Sequence, residues 1–308
     1  MTLPASRIVV PLMALVALAG CGTKPAKKGG MTVQQRLEKA EKETTPDRQA
    51  AGYLRAARAQ LASGDKSGAR DSARTAFDRL KGSTDAAAAA PRLVETAAFL
   101  GEIADKKAAR DALLLAVERS EGIADPVRRT KAVADAGAIA GDKVAGVGDA
   151  ALAKDLLTQA QTLADAVEER FRAEALAAVA LGCTRAGQAD AAAEMVGRLE
   201  ESARAQEEPR AKAEALAAAA SVRAKTGREE EAKTLLADAA AAAKSIDRAE
   251  GRAYALLAVA DATASAGDKA GAIALLREAD KAANKIADQT AQKTAMDKVR
   301  TTLATLEK

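Results

Sequence analysis

The chain has 308 residues, of which 48% are hydrophobic, 29% charged and 2% aromatic, and alanine supplies most of the apolar fraction. It contains no histidine, which removes His-based catalytic triads, the usual zinc sites and haem attachment through a CxxCH motif. The formal net charge of +4 is local: residues 1–44 hold seven of the 47 basic and three of the 43 acidic side chains, leaving 40 of each for the body, which therefore lacks the basic footprint of a nucleic-acid binder.

At the N-terminus Arg7 precedes an apolar run over residues 8–19, interrupted only by Pro11. The run is too short for a stable membrane span and has the proportions of a signal-peptide core. It ends in Leu18-Ala19-Gly20-Cys21, which resembles the lipobox of bacterial lipoproteins. The resemblance implies cleavage before Cys21, so that residues 1–20 are a lipoprotein signal peptide. It also implies acyl chains such as palmitate on Cys21, and hence a membrane partner. Gly22 stands where family members held at the inner membrane often carry Asp, so the resemblance points to the outer membrane, facing the periplasm. Residues 21–45 then comprise the lipidated cysteine, a Gly/Lys/Pro tether with nothing to bury and a short helix over 33–43 that Pro46 ends.

From residue 46 onward a pattern recurs about every forty residues. Turn positions align at Gly64, Ala104, Gly141, Gly187, Gly227 and Gly267, and a left-handed residue between two helices is what a tight turn requires. Asp65, Asp105, Asp142 and Asp268 follow, placed to cap the next helix. The third turn, GDKVAGVGDA, carries an insertion, and its second helix aligns better from Gly148. Five residues past each turn comes an alanine in all six units: Ala69, Ala109, Ala153, Ala192, Ala232 and Ala272. Larger residues follow four further on (Leu113, Leu157, Leu236, Leu276) and small ones three beyond those, which places all three columns on one helical face. Before the turn, an alanine column including Ala57, Ala97 and Ala260 lies four residues beyond a large column that includes Tyr53, Leu93 and Leu256, with Thr130 as its polar exception.

The order of large, small, Gly-Asp turn, and small–large–small resembles the tetratricopeptide repeat. The resemblance covers residues 46–287, although the period is near forty rather than thirty-four, with the extra residues expected to lengthen the second helix and its exit. The fold class is accordingly all-α, an α-solenoid of about six helix-turn-helix repeats. Pro46, Pro91, Pro126 and Pro209 each mark the start of a first helix. Residues 288–308 form a C-terminal capping helix whose apolar face is Ala295, Met296, Val299, Leu303 and Leu306. Such a resemblance implies a concave face of first helices that binds peptides or protein surfaces.

Chemistry has few footholds. With Cys21 lipidated, Cys183 is the remaining cysteine, and it reads as a packed small residue without a base beside it. Residues 141–148 lack the Gly-Lys-Ser/Thr ending of a phosphate-binding loop and read as an elongated turn. The acidic runs at Glu168 and Glu229 sit at helix starts, where they favour the helix dipole. Five aromatics (Tyr53, Phe77, Phe99, Phe171, Tyr254) cannot make a nucleic-acid stacking platform. No catalytic residue, metal site or cofactor is expected. The function read from the sequence is a lipid-anchored envelope scaffold or assembly subunit with protein or peptide partners. A structural spacer without a specific ligand is the alternative, and an enzyme comes third. The first-helix face carries Arg55, Arg58, Glu95, Arg223 and Asp261 among alanines, which names no sharp binding site.

Overall fold

The computed structural model describes residues 31–307, so the expected signal peptide, Cys21 and tether lie outside the described residues. From Val33 on the chain forms one compact unit. Among the described residues there are fourteen helices and no strand. After α1 (Val33–Glu41) come six hairpins: α2 (Pro46–Ala62) with α3 (Lys66–Lys81), α4 (Ala86–Glu102) with α5 (Lys106–Ser120), and α6 (Pro126–Gly141) with α7 (Ala150–Asp165). They continue as α8 (Glu169–Arg185) with α9 (Ala189–Ala205), α10 (Pro209–Lys225) with α11 (Glu229–Lys244), and α12 (Ala249–Ser265) with α13 (Lys269–Ala283). A single helix, α14 (Gln289–Leu306), follows the last hairpin. The protein is an all-α array of tetratricopeptide-like helical hairpins.

The turns show why the spacing repeats. A left-handed residue ends the connection at Gly64, Gly148, Gly187, Gly227 and Gly267 (φ 74 to 89°), and at Ala104 (φ 63°), where the chain holds an alanine in a conformation its Cβ disfavours. Asp65 and Asp268 then cap α3 and α13, accepting from the amides of Gly68 and Gly271 at 2.8 Å. The third turn departs from the expectation. Gly141 is the last residue of α6 and is not left-handed; Gly148 takes that role, and Asp149 rather than Asp142 caps α7. Asp142 instead holds the insertion together, accepting from Val144 and Ala145 amides at 2.9 Å. Asp105 makes no cap bond either; its buried carboxylate is bonded by Arg74 Nε at 2.7 Å, which ties one hairpin to the next.

Two more expectations need correction. Pro91 does not start a helix: α4 begins five residues earlier, capped by Asp85, and Pro91 lies inside it. A run of five alanines before Pro91 has enough helix propensity to form the first turn, and a proline in the second turn forfeits one backbone bond without ending the helix. Nor does the longer period lie in the second helices, which have 15–17 residues against 16–17 in the first helices. Both helices of each hairpin share the extra length.

The columns read from the sequence form the core. Ala69, Ala109, Ala153, Ala192, Ala232 and Ala272 are all fully buried, as are Ala57, Ala97, Ala134, Ala180, Ala220 and Ala260. Thr130, the polar exception, is buried with its hydroxyl donating to the Pro126 carbonyl at 2.8 Å. Small residues bring helices into close contact where α6 crosses α8. A Cβ added at Gly182 would stand 2.8 Å from Leu157 Cδ2 and 2.9 Å from the Ala134 carbonyl oxygen. Contacts run from each second helix to the following first helix, and between successive first helices from α2 through α12. Among second helices such packing is seen between α3 and α5. The first helices are therefore the closely packed row, and their outward faces are contiguous. On the end of the array α14 packs on α12 and α13, with Ala295 and Val299 buried and Met296, Leu303 and Leu306 half-buried.

Candidate binding face

Residues three and four apart on each first helix form its outward stripe, and packing of these helices side by side joins the stripes. The stripe changes character along the array. Across α2 and α4 it is charged and borders a groove of about 680 Å³ that includes Arg48, Arg55, Arg92 and Glu95. Arg58 bridges to Glu95 at 2.8 Å, and Arg92 pairs with the same carboxylate. Partial burial pushes the Glu95 carboxyl up, but the hydrogen bonds from Arg58 and Arg92 outweigh it and hold the group below its ordinary value of 4.5. Arg55 stands exposed beside this pair.

Between α8 and α10 the face becomes a groove of about 460 Å³ with a floor of small residues, Ala177 and Ala218 among them. Glu174 lines one wall, and Arg210 with Glu214 lines the other, paired at 2.8 Å. At its mouth Phe171 is 43% exposed, with the Arg170 guanidinium 4.5 Å above the ring. In the sequence Phe171 is simply one of five aromatics. The available signal was its place in the first turn of α8, where the repeat register puts Ala211 and Gly251 in the neighbouring units.

Of the residues expected on this face, Arg223 is absent from it. It is 9% exposed, donates from Nε to Glu200 at 2.7 Å and is ion-paired with Glu231 at 3.2 Å. It stands four residues before its turn, a column that elsewhere holds the buried Leu100, Cys183 and Thr263. A cation in a core column must be paired, and both partners lie on other helices. Asp261 is exposed on α12, with desolvation pushing its carboxyl above the ordinary value.

Cys183 is 2% exposed, and burial pushes its thiol up to about 11, so it stays protonated at neutral pH. The 141–148 insertion folds back on its own hairpin, with Val147 and Asp149 amides donating to the Ile139 and Ala140 carbonyls at 2.9 and 2.7 Å. Lys106 bonds the Gly146 carbonyl, and Val144 at the tip is 87% exposed. No group of His, Cys, Asp and Glu that could hold a metal ion occurs among the described residues. No helix among them is long and apolar enough to cross a membrane.

These features define a helical-repeat protein with a contiguous first-helix face. No family model matches the chain. No curated protein matches it either. Among solved structures it is similar to a tetratricopeptide repeat protein from Parabacteroides merdae ATCC 43184, at 12% identity over 87% of this chain and 91% of that one, with a TM-score of 0.36. It is also similar to BtubC from P. vanneervenii, at 13% identity over 82% and 91% of the two chains with a TM-score of 0.38. A third is Ton1535 from Thermococcus onnurineus NA1, at 15% identity over 87% and 83% with a TM-score of 0.33.

Proposed function

We propose that this protein is a lipid-anchored scaffold of a bacterial cell envelope, held to the outer membrane through Cys21 and offering its first-helix face to a protein or peptide partner. The observation that carries the scaffold reading is the α8–α10 groove. Its floor of alanines lets a partner backbone come close, Phe171 supplies an exposed aromatic anchor, and charged walls frame both. The anchor rests on Leu18-Ala19-Gly20-Cys21 alone. Eleven residues separate Cys21 from the start of α1. At roughly 3.3–3.6 Å per extended residue they reach about 40 Å, which keeps the array beside the membrane it is moored to.

A photo-crosslinking residue placed at Ala218, on the groove floor, should capture a discrete partner in intact cells. The same residue at the outward-facing Ala241 should not. Identical adducts from both positions, or none from Ala218, would refute the groove as the docking surface. The anchor is tested separately: intact mass of the native protein should show a chain that begins at Cys21 and carries acyl groups, and an unmodified Cys21 would end that part of the proposal.

A further inference from the structure

Three successive hairpins carry a cleft at their open ends, where the first helix starts and the second finishes, and all three are built on equivalent positions. The fourth residue of the first helix is basic (Arg172, Lys212, Arg252), and a leucine follows one turn on (Leu176, Leu216, Leu256). In the first cleft Arg172 and Arg198 are paired with Glu169 and Asp165. In the second, Arg204 and Lys212 share the lining with Glu207 and Asp238. Each of these two clefts is balanced in charge.

The third, of about 240 Å³ between α12 and α13, is not. Lys244, Arg252, Lys281 and Lys285 line it with one carboxylate, Glu278, which is already bonded to Lys244 at 3.1 Å. Arg252, Lys281 and Lys285 form no ion pair with any described residue, and two of the acids beside them are engaged elsewhere, Asp280 with Arg300 at 3.2 Å and Glu250 with Arg248 at 3.7 Å. Lysines in the last turn of a helix complement its dipole, which accounts for Lys244 on α11 and Lys281 on α13. The dipole does not account for Arg252, which lies in the first turn of α12 where a cation is disfavoured, nor for all four cations bordering one cleft. Leu256 and Ala282, both buried, form its apolar floor and lower the local dielectric.

We propose that this cleft binds a phosphate group, with the Arg252 guanidinium as a planar two-bond donor and Lys281 and Lys285 as point charges. A planar guanidinium and two ammonium groups in excess of the one carboxylate suit the tetrahedral set of oxygens of a phosphate better than the two coplanar oxygens of a carboxylate. A free phosphate and a phospholipid headgroup share this chemistry. The site lies apart from the α8–α10 groove and does not depend on a partner binding there.

The test uses the full chain carrying Cys21→Ser, so that no acyl anchor contributes. Inorganic phosphate is titrated at constant ionic strength by calorimetry, and flotation compares vesicles of phosphatidylcholine alone with vesicles containing phosphatidylglycerol. Saturable phosphate binding would identify a free anion as the ligand, and recruitment confined to phosphatidylglycerol vesicles would identify a headgroup. In either arm the R252Q/K281Q/K285Q variant should bind at least about tenfold more weakly, as loss of charge-assisted bonds requires, while R204Q/K212Q in the balanced cleft should bind like the parent. If the triple variant does not fold, K285Q, which lies beyond the end of α13, should still weaken binding several-fold. Binding in neither arm, or equal loss in the R204Q/K212Q control, would overturn the proposal.

Discussion

Glycines in helix interiors make opposite predictions at two positions, and the pair isolates what holds neighbouring hairpins together. Gly197 lies in the middle of α9 with open space where a Cβ would go. Gly182 lies in α8 with Leu157 Cδ2 at 2.8 Å and the Ala134 carbonyl oxygen at 2.9 Å from that same point. In both places Gly→Ala gains the same backbone term, about 0.5–1 kcal/mol, because alanine has the better helix propensity and a less disordered unfolded chain. At Gly197 nothing opposes it, so Gly197→Ala should stabilise by that amount. At Gly182 the leucine end can yield, although Leu157 is itself buried, but the carbonyl belongs to the α6 backbone and cannot move without shifting a helix. Overpacking of this kind costs about 1–3 kcal/mol, so the two variants should differ by roughly that much, with Gly182→Ala the less stable. Urea unfolding followed by circular dichroism measures the difference as a shift in midpoint at constant slope. Equal stabilisation by both substitutions would mean that α6 and α8 do not cross as closely as described.

Ala104→Gly should stabilise by about 1 kcal/mol, since it relieves a left-handed alanine, and a lowered urea midpoint would refute the strain at that turn. Glu95 is held below its ordinary pKa by Arg58 and Arg92, so it contributes stability that is present above about pH 4.5 and lost as pH falls through its depressed folded-state value. Glu95→Gln should therefore flatten that part of the pH–stability curve, as seen in melting temperatures measured between pH 3 and 7. Removing residues 288–308 uncovers Leu276 and the end of the array, and hydrogen exchange should then rise in α12 and α13 while α2 to α6 keep their protection. Uniform loss of protection would point to one undivided core instead.

What the sequence determined by itself is the periodic part. An alanine five residues past each turn is buried in all six hairpins because the same register faces the same neighbour each time, and register is visible at a spacing of three and four. Turn glycines are legible for a similar reason, since a left-handed residue is a local demand of the backbone. The irregular third unit was only half legible: the insertion could be counted, but whether Gly141 or Gly148 took the left-handed place, and whether Asp142 or Asp149 capped α7, depended on how the loop folds back on Ile139 and Ala140.

Tertiary structure decided everything that depends on partners from different helices. Arg223 looked like a face residue until Glu200 and Glu231, on the two flanking helices, closed over it. The Phe171 groove exists because α8 and α10, whose starts lie 40 residues apart along the chain, pack side by side, and no local pattern marks one aromatic among alanines as its mouth. The basic cleft joins Lys244, Arg252, Lys281 and Lys285 from three helices and the connection after α13, each unremarkable where it stands in the sequence. Periodicity reports which residues a helix buries, because burial against a repeating neighbour is itself periodic. Charge balance at a surface is a sum over helices that the chain brings together only on folding, and a single strand of sequence does not contain that sum.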